Sequence, residues 1–156
     1  MNHENNCNAV LLRNARKNTM RYTLLDSQRD AWLLLARVLM VILFVWSGWG
    51  KLTGFQGTVG MMAGVGLPIP TVAAIVVVII EFFVGIAIVL GFFTRPLALL
   101  LAAFALATAF IGHHYWTMTG PAQVANMINF YKNVSIVGGF LLLAIAGPGK
   151  YSIDRR

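Results

Sequence analysis

Apolar residues along this chain come in four unbroken runs rather than in alternation, at about residues 32–52, 71–91, 96–112 and 127–146. A helix needs about 20 apolar residues to cross the hydrocarbon core of a bilayer. Leu, Ala, Val and Ile fill these runs without a period of two, which predicts membrane helices and not barrel strands. The segment Gly66-Leu67-Pro68-Ile69-Pro70 predicts a rigid loop that fixes the start of the second helix. Thr94-Arg95 marks a tight turn, and residues 112–121 form a second loop. The expected fold is an all-α membrane protein, a four-transmembrane-helix bundle. Residues 1–30 form a basic N-terminal tail, residues 31–148 the membrane domain and residues 149–156 a C-terminal tail.

Composition supports the membrane class: 58% of the 156 residues are hydrophobic and only 11% are charged, with a mean hydropathy of +0.74. Soluble domains are about a quarter charged, and a chain this short cannot bury so much apolar surface by folding in water. The net charge of +7 is unevenly placed. Arg13, Arg16, Lys17, Arg21 and Arg29 precede the first run, Arg95 lies between the second and third, and Lys150, Arg155 and Arg156 follow the fourth. The other two loops offer only Lys51 and Lys132, close to or inside a span. By the positive-inside rule both termini are cytoplasmic. The charge is thus a topology signal, and no folded basic module accompanies it to bind nucleic acid. Residues 1–30 lack the apolar core of a secretory signal and are expected to stay on the mature chain, partly disordered or, over residues 19–25, lying on anionic headgroups. Trp46, Trp49, Tyr115 and Trp116 at one end and Trp32 at the other suit an aromatic belt.

Several chemistries are excluded at this level. Cys7 is the single cysteine, so the chain has no intrachain disulfide and no redox dithiol. No phosphate-binding loop, HExxH motif or dinucleotide fingerprint occurs. His113 and His114 are neighbours, about 100° apart on a helix, and make a poor chelate for one metal. With His3 as the only other histidine, this chain alone supplies no haem ligand pair, and no metal site is expected.

What remains is a set of polar residues at bilayer depth. Glu81 lies near the middle of the second run, about 15 Å from Gly91 at about 1.5 Å per residue. A carboxylate there costs about 2–3 kcal/mol on insertion scales and marks a functional or packing site by default. Lys132 falls about 22 Å from the same boundary, so a buried Glu81–Lys132 ion pair is the first expectation. Lys51, His113 and His114 come out about 27–29 Å from that boundary. For Lys51 and Arg37 snorkelling to the interface is the commoner fate, and for the two histidines an interfacial position without a ligand. Asn126, Asn129 and Asn133, at i, i+3 and i+7 with Lys132 adjacent, form a polar stripe, suggesting a cavity open to the outer face or simple interhelical hydrogen bonding. Gly85, one turn from Glu81, would let a neighbouring helix approach the carboxylate.

Gly50-Lys51-Leu52, Gly66-Leu67-Pro68, Glu81 with Gly85 and Leu90-Gly91, Thr94-Arg95, the Asn126 to Asn133 stripe and the ending Gly147-Pro148-Gly149-Lys150-Tyr151-Ser152-Ile153-Asp154 resemble the DoxX family of small bacterial inner-membrane proteins. The resemblance spans about residues 30–154. It implies an accessory role in a membrane redox system, quinone-linked or serving oxidative or thiol stress, with a quinone as the ligand. Any enzymatic activity would be that of a quinone-linked oxidoreductase subunit, through a partner redox subunit or a homo-oligomer in the lipid bilayer. The residues expected at the ligand or proton site are Glu81, Lys132, Lys51, His113, Asn129 and Asn133. The alternative is a non-catalytic membrane scaffold, or a small oligomeric permeation or sensing protein.

Overall fold

A computed structural model of the chain describes residues 26–154; the expectations for the N-terminal tail before Asp26, and for Arg155 and Arg156, lie outside the described residues. Five helices account for nearly all of it: α1 (Arg29–Thr53), α2 (Phe55–Gly64), α3 (Pro70–Leu90), α4 (Thr94–Gly112) and α5 (Gly120–Ala146). Of these, α1, α3, α5 and the stretch Thr94–Thr117 that contains α4 are long and apolar enough to cross a membrane. The four-helix, all-α expectation is met. Two details differ from the runs read in the sequence. The loop after α1 coils into α2, and residues 149–154 pack onto the bundle instead of trailing from it.

Proline starts α3 and α5, at Pro70 and at Pro121 after Gly120, where a missing N–H costs nothing. Neighbouring helices run antiparallel in the ring order α1, α3, α4, α5, so α1 and α4 stand on one diagonal and α3 and α5 on the other. One end of the ring holds Arg37, Gly91 and the C-terminal segment; the other holds Lys51, α2 and the α4–α5 loop. These are the Arg37 end and the Lys51 end below.

The packed core lies towards the Arg37 end: Val41 and Phe44 from α1, Ile88 from α3, Ala98, Leu101, Ala102 and Ala105 from α4, Phe140 and Leu143 from α5. Ala98, Ala102, Ala105 and Ala109 make one buried stripe of small residues on α4. Such a stripe matters because lipid gives helices no hydrophobic drive to associate, so close van der Waals contact has to hold them. Phe44 meets Phe140 edge to face at 5.5 Å. Towards the Lys51 end the two hairpins part. No Cα of α2 or of Pro70–Val78 comes within 8 Å of any Cα in α4 or α5 among the described residues.

Glycine sets the register of α1 on α3. A Cβ at Gly48 would stand 2.6 Å from the Phe82 backbone nitrogen, and one at Gly85 2.9 Å from Val45 Cγ2. Gly91, at φ 72°, lies against the Arg37 guanidinium and Ser152. The first residues of α1, with Asp30 and Leu33, therefore run about 8 Å past Gly91, where they receive the C-terminal segment. Gly149 packs on Asp30 and Leu33, and the Lys150 backbone N–H donates to Asp30 Oδ1 at 2.9 Å. The Ile153 and Asp154 N–H groups donate to the carbonyls of Leu90 and Gly91 at 3.1 and 3.0 Å, which α3 leaves without intrahelical partners at its end. The Asp154 carboxylate accepts from the N–H groups of Phe93 and Thr94, both at 3.0 Å, and so caps α4 from outside its own sequence.

Gly91→Val should lower stability by about 2–5 kcal/mol, from the left-handed backbone and from overpacking against Arg37 and Ser152 together. Gly57→Ala, where a Cβ meets nothing within 4 Å, should leave it unchanged or slightly raised. Thermal unfolding of the detergent-solubilised variants measures both.

Candidate functional site

Lys51 occupies the last turn of α1, where a cation is favoured by the partial negative charge of the helix end. Its Nζ donates to Glu81 Oε2 at 2.5 Å and to Ser47 Oγ, one turn earlier, at 2.7 Å. The pair is largely shielded, with 17% of the lysine side chain and 10% of the carboxylate side chain exposed. The Lys51 carbonyl accepts the Thr58 hydroxyl of α2 at 3.0 Å. This bond ties the short helix back to the end of α1.

Glu81 sits in a widened, π-helical turn, Ile79–Val84, that interrupts α3. Such turns are rare, and frequent at functional sites. Gly48 lies against this turn at the Phe82 nitrogen and the Glu81 carbonyl carbon; the missing side chain brings α1 close enough for Lys51 to reach the carboxylate. Trp49 packs on Phe82 at a ring separation of 5.7 Å, on the flank of the α1–α3 contact away from Lys51.

The expected Glu81–Lys132 pair is not formed. Lys132 is exposed and donates to Asn129 Oδ1 at 2.8 Å, three residues back on its own helix. The expectation assumed that the first and second spans end level at Trp32 and Gly91. Because Gly91 meets Arg37, α1 is displaced along its axis by about 8 Å, and Lys51 comes down to within about 6 Å of the depth of Glu81, which its long side chain spans. Snorkelling, expected of Lys51 and Arg37, is corrected for the same reason. Arg37 is fully buried and donates to the carbonyls of Ile88, at 3.4 Å, and Tyr151. It holds the C-terminal segment onto α3 and takes no part in the Lys51 cluster.

The other expected site residues lie on the second hairpin, towards the Lys51 end. His113 Nδ1 is 3.0 Å from Asn126 Oδ1, and the Asn133 amide donates to Thr108 Oγ1 at 3.5 Å. Phe130 packs among Phe110, Tyr115 and Trp116 with ring separations of 5.2–5.9 Å. The structure thus brings Lys51 and Glu81 together, and separately Lys132 with Asn129, while His113 and Asn133 serve the α4–α5 contact. Among the described residues no three His, Cys, Asp or Glu side chains gather as metal ligands. Ser47 and Thr58 had no sequence signal beyond their position one or two turns from Lys51. Asp154 stood out only as the last residue of the family-like ending, and Asp30 had no sequence signal.

The DoxX family model matches residues 32–114, more than half of the chain and the part that carries Arg37, Lys51 and Glu81. Inner membrane protein YphA of Escherichia coli (strain K12) is 56% identical over 139 residues, covering 89% of this chain and 99% of that protein. Inner membrane protein YqjF of the same organism is 48% identical over 129 residues, 81% of this chain and 92% of that protein. A shorter similarity, 32% over 71 residues, links 44% of the chain to 24% of the Surfeit locus protein 4 homolog of Schizosaccharomyces pombe. No solved structure matches. On the extent of these matches and the four spanning helices, the chain belongs to the DoxX family.

Proposed function

We infer that this DoxX-family protein works in the inner membrane as an accessory subunit of a redox system, binding a quinone-type ligand at the Lys51–Glu81 cluster. The observation that carries the reading is the ion pair itself, a cation and a carboxylate inside a spanning bundle. Ionisable groups at that depth are expensive and pair up where they serve a site. The residues present suit such a ligand. Lys51 and Ser47 are donors for a carbonyl oxygen, and Glu81 can hold or pass a proton. A quinone, when bound, supplies the two-electron chemistry that the side chains lack. The chain's own part is to orient it, shield it and place a proton near its oxygen.

The names of the two Escherichia coli relatives agree with the inner-membrane location. The distribution of Lys and Arg favours an orientation with both termini in the cytoplasm, which turns the Lys51 end outward. A second reading also has support. Lys51 and Glu81 satisfy each other at 2.5 Å and join α1 to α3, as they would in a scaffold or a small permeation or sensing protein that binds no redox ligand.

Three measurements follow. An organic extract of the purified protein should contain stoichiometric quinone, and Lys51→Met or Glu81→Gln should remove it; an extract holding only phospholipid rejects the redox-ligand reading. Glu81→Gln alone leaves a shielded ammonium unpaired and should cost about 2–4 kcal/mol, somewhat below the fully buried case. Combining it with Lys51→Met should recover part of that loss in thermal unfolding; strict additivity of the two changes would mean that they are not coupled. Cys7, the single cysteine, should react with a membrane-impermeant maleimide only after cells are lysed. Labelling in intact spheroplasts would invert the proposed orientation.

A further inference from the structure

The α1–α5 interface changes character halfway along. At about 100° per residue, Met40, Phe44, Ser47 and Lys51 of α1 lie within about 60° of arc, on one face. Its first half meets α5 directly, with Met40 against Gly139 and Phe44 against Phe140. The facing stripe of α5, read back from its end, is Leu143, Phe140, Gly139, Ile136, Lys132 and Asn129, within about 100° of arc. Leu143 and Phe140 are buried and Ile136 is partly buried in the core, whereas Lys132 is exposed. Both faces thus turn from apolar to polar at the same point, where the hairpins part towards the Lys51 end. On this register Ser47 and Lys51, with Glu81 bonded to Lys51, fall on the α5-facing side of α1, and Lys132 and Asn129 on the α1-facing side of α5.

The charges across this opening do not cancel. Lys51 is matched by Glu81. Lys132 spends one of its three donors on Asn129, and among the described residues no carboxylate lies within ion-pair distance of it. An ammonium in a spanning helix, on the side facing α1 and with donors to spare, is a counter-charge in waiting for an anion. We propose that Lys132 and Asn129 form the oxyanion-binding half of the site whose other half is Lys51–Glu81. The ligand taken there carries a phosphate-like or carboxylate-like group, either on a small water-soluble anion or on the headgroup of an anionic phospholipid. The proposal rests on reading the Lys51–Glu81 cluster as a ligand site and adds the chemistry of the group bound opposite it. These two residues lie beyond the stretch matched by the family model.

The full chain in phosphatidylcholine nanodiscs is titrated with inorganic phosphate, and compared with nanodiscs that contain phosphatidylglycerol, following thermal midpoint and tryptophan emission. General salt stabilisation is common to all variants, so the readout is the difference between them. Wild type, Lys132→Arg and Lys150→Gln (a surface lysine at the other end) should respond to at least one probe. Lys132→Gln should bind it at least about tenfold more weakly, as loss of a charge-assisted contact requires. A phosphate response lost in Lys132→Gln assigns the site to a soluble anion; a response only to phosphatidylglycerol, lost in the same variant, assigns it to a lipid headgroup. Lys132→Gln responding as wild type, or wild type responding to neither probe, overturns the proposal. Quinone content reads out separately, so a quinone-free protein with a Lys132-dependent anion response would reject the redox ligand and keep the oxyanion site.

Discussion

Once α1 leaves water, each of the two cations on its inward face has to find a partner, because an unpaired charge in a low-dielectric surround is far more costly than any single packing contact in this bundle. Arg37 and Lys51 stand fourteen residues apart on that face. Both partners come chiefly from α3: the Glu81 carboxylate for Lys51, and the Ile88 carbonyl, with Tyr151 behind it, for Arg37. Two fixed points on a rigid helix allow one axial register. Gly48, Gly85 and Gly91 then become necessary, since any side chain there would hold the helices apart at the distance those bonds require.

With α1 and α3 locked, the remaining helices divide the molecule by depth. The Arg37 half is packed through the alanine stripe of α4 and the Phe44–Phe140 contact, and closed by residues 149–154. That segment supplies acceptors and donors that helix ends lack within a bilayer, where water cannot serve them. Phe93, at φ 46°, adopts a left-handed conformation unusual for a bulky residue, and the Asp154 carboxylate holding its N–H accounts for its persistence. The Lys51 half is where the two hairpins part and where the polar bonds of Lys51, Glu81, His113 and Asn126 lie.

The number, length and class of the helices were legible in the residues alone, because crossing hydrocarbon imposes a length and a composition that nothing else in a chain of this size imitates. So was the importance of Glu81, from its cost at that depth, and the closeness of a helix at Gly85. Less was visible of what joins to what. The widened turn at Ile79–Val84 has no proline or glycine to announce it, and α2 reads as loop because its glycines, Gly57, Gly60 and Gly64, hide a helical spacing.

Partner choice was decided only in three dimensions. Counting residues from the nominal span ends put Lys132 nearer to Glu81 in depth than Lys51, and the count was sound except for its origin. Hydropathy cannot tell where one helix stands relative to its neighbour, because sliding a uniformly apolar helix by a turn and a half changes little of its surface. The register was set by Gly91 meeting Arg37 and by a C-terminal segment more than fifty residues away in the sequence. The sequence by itself determined that charges would be buried and must be matched. The tertiary structure decided that Lys51 does the matching and that Lys132 instead bonds Asn129 on its own helix.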